Sequence, residues 1–153
     1  GGGFASRLME EVREKRGLAY SVYSYIAPYR HASVLSGGVA TKSDAMDKSL
    51  EIIRAEFKRI ADEGPTEKEL NDAKSYLTGS YALRFDSNVK IASQLLGLME
   101  EGFGPDYVLN RNKLIEAVTM EDAKRVAKKL FDEKNLIVTI VGPKKAATAA
   151  NKG

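Results

Sequence analysis

The sequence has no cysteine, no tryptophan and a single histidine, His31, in 153 residues. Without cysteine there is no disulfide, no thiolate zinc site and no cysteine nucleophile, and the redox compartment is left open. A catalytic zinc usually takes about three protein ligands, mostly His with Glu, Asp or Cys. One His and no Cys argue against a self-contained catalytic zinc site, so no metal or cofactor is expected in this chain alone. No apolar run approaches the ~18 residues a helix needs to cross a bilayer, and no membrane span is expected. The chain opens on glycines rather than a basic segment followed by an apolar one, so no signal peptide is read. An excess of one charge is also lacking. There are 24 Lys and Arg against 21 Asp and Glu, a net charge of +3. The signs alternate as on solvated helix faces, with no basic block before the short tail, and nucleic acid is not an expected partner.

What is present suits one globular domain. Of the residues, 43% are hydrophobic and 29% charged, enough chain to bury a real core. The expected domain covers residues 1–143. The remainder, KKAATAANKG at 144–153, is small and polar and reads as a frayed tail. The chain does not start with Met, and GGGFASRL reads as the middle of a protein. The expectation is a fragment of a longer polypeptide.

The opening organises the rest. Gly1, Gly2 and Gly3 run into a helix over residues 4–16, with Phe4, Leu8 and Val12 every four residues and Met9 beside them. Gly17 is its expected stop, in a left-handed conformation. Residues 18–26 hold Tyr20, Val22, Tyr23, Tyr25 and Ile26, a β-type run ended by Pro28. A turn at residues 29–31 and a second run at 32–41 complete an antiparallel hairpin, with Gly37 and Gly38 marking a bulge or close approach. Ser43 is the expected cap of a helix over 44–62. Thr66 and Glu69 form a capping-box pattern for a helix to about residue 85. Ser87 caps a third helix, and Pro105 sits at the start of a short fourth. Thr119 with Asp122 opens a fifth. Residues 135–141, NLIVTIV, form the most strand-like run and are expected to be central in a sheet. The order is hairpin, helices, final strand. That predicts an α+β fold, a largely antiparallel sheet with helices packed on one face. A natural fourth strand would precede Gly1.

Few residues suggest chemistry. The triple glycine reads as a substrate-touching loop, an anion site at a helix start, or a linker; the phosphate version has neither Gly-Lys-Ser/Thr nor G-x-G-x-x-G to support it. Arg13 and Tyr20 lie seven apart across the Gly17 break. A guanidinium and a phenol together can hold a carbonyl oxygen and grip it harder as it becomes an oxyanion. The plain alternative is a surface arginine and a half-buried strand tyrosine. His31, in a turn with no orienting carboxylate, reads as exposed rather than as a general base. Asp72, Asp86 and Asp106 show no paired arrangement. Tyr20, Tyr23, Tyr25 and Tyr29 read as sheet packing, with a peptide-binding wall as the alternative.

Residues 1–25, GGGFASRLMEEVREKRGLAYSVYSY, resemble the opening of the C-terminal homologous domain of the insulinase (pitrilysin-like) zinc metallopeptidases. The likeness is strongest to bacterial relatives of mitochondrial processing peptidase. The R-E-x-x-G-L-A-Y pattern starts at Arg13. Supporting matches are GG-x-x-T at residues 37–41, E-G-P-T-E-x-E-L at 63–70, LTGSYALRFD at 77–86 and the final LIVTIVGP. The resemblance implies two related α+β halves facing across a chamber. One half, or a partner subunit, carries an H-x-x-E-H zinc motif. The other holds the peptide substrate with an Arg/Tyr pair that falls here on Arg13 and Tyr20, and with a Gly-rich loop that falls on Gly1, Gly2 and Gly3. This chain has no H-x-x-E-H, so on its own it is expected to be catalytically silent, with zinc in the partner half. A structural or assembly subunit of the same fold is the competing reading. The compartment, bacterial periplasm or cytoplasm, is left open.

Overall fold

The computed structural model describes residues 1–3, 5–29, 31–132 and 135–143. The expected tail at 144–153 and Phe4 of the first helix lie outside the described residues. The fold is α+β, one antiparallel hairpin and a series of helices. The chain divides into two compact units, one of Gly1–Ala61 with the residues from Leu130 onward, the other Asp62–Lys129.

In the first unit, residues 7–14 are helical and widen into a π turn over Met9–Glu14. Lys15 donates its N–H to the Glu10 carbonyl, one residue further back than an α-helix would take it. Leu8, Met9 and Val12 point inward, and Val12 is fully buried. The helix stops at Gly17, whose φ of +60° is a left-handed conformation. Two bonds close the end: Gly17 N–H to the Arg13 carbonyl at 2.7 Å and Leu18 N–H to the Val12 carbonyl at 3.0 Å.

Strands β1 (Ala19–Tyr29) and β2 (Ala32–Thr41) pair antiparallel, with Val22 opposite Val39 and Tyr29 opposite Ala32. Val22 joins Leu8, Met9, Val12 and Ala19 in the core, and Ile52 of helix α1 (Met46–Glu63) completes it. Ile53 and Phe57 pack against that core. Tyr23, Tyr25 and Tyr29 share the opposite face of the hairpin and are exposed. The Ser24 N–H leaves the hairpin to reach the Gly1 carbonyl at 3.1 Å. By the alternation of an antiparallel ladder, Pro28 also faces that outer edge, where its missing N–H costs no ladder bond. Helix α1 starts at Met46, with Ser43 in the turn ahead rather than at the cap.

One expectation is corrected. Residues 136–141 form no strand, and the sheet has two strands among the described residues. Ile137 and Val141 are 91% and 93% exposed. Strand propensity expresses a fit to a pleated partner surface, and no described strand offers one to this run.

The second unit holds α2 (Glu67–Gly79), a 3-10 turn (Tyr81–Phe85), α3 (Asn88–Glu100), α4 (Tyr107–Glu116) and α5 (Met120–Leu130). The Thr66–Glu69 capping box is formed in both directions, and the Ser87 side chain caps α3. Thr119 and Asp122 exchange the same reciprocal bonds ahead of α5. Helix α2 ends at Gly79, six residues short of the expected stop, and the Ser80 hydroxyl donates to the Tyr76 carbonyl there. Arg111 ties α4 to α2, with its guanidinium 4.2 Å from the Tyr81 ring centroid and a bond to the Leu77 carbonyl.

Candidate functional site

Three local devices place Arg13 and Tyr20. The first is the π turn. It carries Arg13 next to buried Val12, so the backbone at Arg13 is anchored by the core while its side chain points out. The second is the Gly17 stop, which turns the chain straight into β1. The third is a β-bulge. Ala19 lies opposite Thr41 and Ser21 opposite Ala40, so Tyr20 is the extra residue between them. A bulge of this kind redirects a side chain, and it lets Ala19 and Val22, three residues apart, both face the core. Tyr20 is thrown outward and is 83% exposed.

The result is an adjacent pair. The Arg13 guanidinium lies 5.7 Å from the Tyr20 ring centroid. At an exposed site such a contact is worth about 0.5–1 kcal/mol, enough to bias the two side chains together without locking them. Arg13 Nε is also 3.7 Å from the Glu14 carboxylate. The other two cations of the helix end are committed elsewhere. Glu11 accepts from Lys15 at 2.6 Å and from Arg16 at 2.6 Å, and Arg16 also reaches the Glu11 carbonyl. The Lys15 bond, and then the Arg16 bond, pull the Glu11 carboxyl down to about 2. Glu11 thereby pins the last turn of the helix that carries Arg13.

The glycines sit nearby in the first unit. Gly1 lies against β1 at Ser24, four residues along from Tyr20, and a Cβ on Gly1 would run into the Ser24 side chain. Gly3 has φ +153° and its carbonyl accepts from Ser6, which starts the helix. A guanidinium with fixed donors and a phenol at an open margin can both donate to one carbonyl oxygen. The other candidates are dispersed. His31 is exposed in the hairpin turn. Asp72 pairs with Lys68, and Asp86 with Lys90, as surface ion pairs. No group of three His, Cys, Asp or Glu among the described residues has a metal-binding arrangement, so these residues do not fit a zinc ion. Sequence reasoning missed the π turn, the bulge and the Glu11 clamp. The bulge had a signal in the two core-type residues, Ala19 and Val22, spaced by three in a strand.

Residues 1–77 match the family model described as the peptidase M16 inactive domain. An uncharacterised zinc protease of Streptomyces coelicolor is 32% identical over 154 residues, covering 98% of this chain and 32% of that protein. A Helicobacter pylori protein named non-peptidase homolog YmxG is 43% identical over 95 residues, covering 62% of this chain and 21% of that one. The chain thus spans a fifth to a third of the length of these curated relatives. The crystal structure of a peptidase M16 inactive domain from Pseudomonas fluorescens superposes with a TM-score of 0.73 at 35% identity, over 85% of this chain and 31% of that one. These matches agree with the resemblance carried by the opening motif, and the chain belongs to the peptidase M16 family as an inactive, C-terminal-type domain.

Proposed function

We propose that this chain is the substrate-holding half of a zinc-dependent endopeptidase, with zinc and hydrolysis supplied by a homologous half, fused or separate. The observation that supports this reading is the placement of Arg13 beside Tyr20 at an exposed margin of the first unit. In the proposed role, the guanidinium and the phenol donate to a backbone carbonyl of an extended peptide near the scissile bond. Both donors are fixed to a buried helix turn and a paired strand, so little reorganisation is needed as negative charge grows on that oxygen. Gly1 is packed against β1 at Ser24, and Gly2 and Gly3 beyond it present exposed backbone that a substrate can approach closely. No proton transfer is assigned to this chain.

The test uses the intact protein assembled with its zinc-carrying half. Arg13→Ala and Tyr20→Phe should each lower peptide turnover by roughly a hundredfold, the usual cost of losing one such donor. The thermal melt should stay the same. Unchanged turnover in both variants discards the role. A second reading, a catalytically silent assembly subunit of this fold, is favoured by the relative named a non-peptidase homolog. It prevails if neither the full-length gene nor its neighbour encodes an H-x-x-E-H motif.

A further inference from the structure

Two hydroxyls hold the start of the strand that carries Tyr20. Thr41 ends β2, and its hydroxyl donates to the Leu18 carbonyl at 2.5 Å. Ser49 lies in the first turn of α1 and is the only polar residue fully buried among the described residues. Its hydroxyl donates to the Ala45 carbonyl at 2.9 Å and stands 3.3 Å from the Thr41 hydroxyl. Each hydroxyl has a single proton. Thr41 gives its own to Leu18, so across the 3.3 Å contact Ser49 is the donor, sharing its proton with Ala45. A helix serine is satisfied by the carbonyl four residues back. The added contact joins α1 to the end of β2 and, through Thr41, to Leu18.

Leu18 is the residue through which both members of the pair are anchored. Its N–H donates to the carbonyl of Val12, next to Arg13, at 3.0 Å. Its carbonyl, held by Thr41, leads directly to Ala19, which is buried and lies opposite Thr41 in the ladder. Tyr20 follows as the extra residue of the bulge. A bulge interrupts the ladder, so regular backbone pairing does not set the aim of its extra residue. The Thr41 hydroxyl supplies a hold immediately ahead of that interruption. Removing it takes a partner from the Leu18 carbonyl and lets the start of β1 shift.

We propose that Thr41, backed by Ser49, is a positioning residue for the substrate-holding pair: it fixes the start of β1 so that the Tyr20 phenol is aimed beside Arg13. The inference rests on the substrate-holding reading of Arg13 and Tyr20. It adds two residues that act on the peptide only through the strand. A donor whose value lies in its pre-set aim loses turnover when that aim loosens, by as much as about a hundredfold for a misplacement of about 1 Å. The loss falls on kcat more than on KM, because the phenol grips hardest once charge has grown on the oxygen.

Steady-state peptide cleavage by the intact protein, assembled with its zinc-carrying half, tests this in the parent and in a Tyr20→Phe background. Thr41→Val keeps the shape and removes the hydroxyl. It should lower kcat about tenfold and leave KM within about twofold. Thr41→Ser restores the hydroxyl and should return kcat to within about threefold of the parent. In the Tyr20→Phe background Thr41→Val should cost less than about twofold, because the phenol hydroxyl that it aims is gone. Circular dichroism checks that each variant is folded. If Thr41→Val does not fold, Ser49→Ala takes its place, with an expected loss of about threefold in the parent background alone. An equal loss in both backgrounds, or none in the parent, overturns the positioning role while a damaging Tyr20→Phe leaves the substrate-holding reading standing. A Tyr20→Phe variant with unchanged turnover removes that reading, and the positioning role falls with it.

Discussion

Replacing Gly17 with alanine isolates the turn on which the site depends. The φ of +60° at Gly17 is one that an L side chain adopts only against its own carbonyl. The cost is about 1 kcal/mol. A Cβ built there meets no atom within 4 Å, so no steric term is added. Asparagine tolerates the left-handed region better and should lose about half as much. With a urea m-value of about 2 kcal/mol/M, Gly17→Ala should lower the unfolding midpoint by about 0.5 M and Gly17→Asn by about half that. The assay is urea unfolding followed by circular dichroism. An alanine variant as stable as the parent would show that the left-handed stop is not needed. A loss above about 3 kcal/mol would point to a clash, and so contradict the open space found at Gly17.

Gly37 should behave differently, because a Cβ there would meet the Tyr23 carbonyl oxygen at 2.5 Å, a backbone atom that cannot swing away. Gly37→Ala should cost about 2–3 kcal/mol by the same assay, and a loss no larger than that of Gly17→Ala would refute this. Val12→Ala removes two methyls from a fully buried position under the site and should cost about 2 kcal/mol, read as a midpoint shift of about 1 M urea. Glu11 supplies the pH dependence. Its folded carboxyl is depressed to about 2 from an ordinary 4.5, so its contribution is complete above the ordinary value and is lost as pH falls toward 2. Surface screening limits that contribution to about 1 kcal/mol. Glu11→Gln should remove this part of the acid dependence, and an unchanged stability profile below pH 4.5 would count against the clamp.

Much of this fold was legible because its signals are local. A capping box needs only four residues, and those at Thr66 and Thr119 form as the spacing predicts. The Gly17 stop is equally local, and it is why the nearness of Arg13 and Tyr20 could be anticipated from a separation of seven. The failures are non-local. Residues 136–141 have strong β character, yet a strand exists only where another backbone pairs with it, and none described here does. The six-residue shortening of α2 reflects Ser80, whose hydroxyl turns back onto the Tyr76 carbonyl. The outward aim of Tyr20 depends on a register slip against Thr41 and Ala40, about twenty residues away, of which the three-residue spacing of Ala19 and Val22 is the one local trace.

The central claim is that Arg13 and Tyr20 hold one and the same substrate oxygen. A double-mutant cycle on peptide turnover by the assembled enzyme, with Arg13→Ala, Tyr20→Phe and both together, tests it most directly. Two donors sharing an oxygen should give strongly non-additive losses, with the double variant little worse than the poorer single and a coupling of about 2 kcal/mol or more. Losses that simply multiply, or turnover that neither change affects, would contradict it.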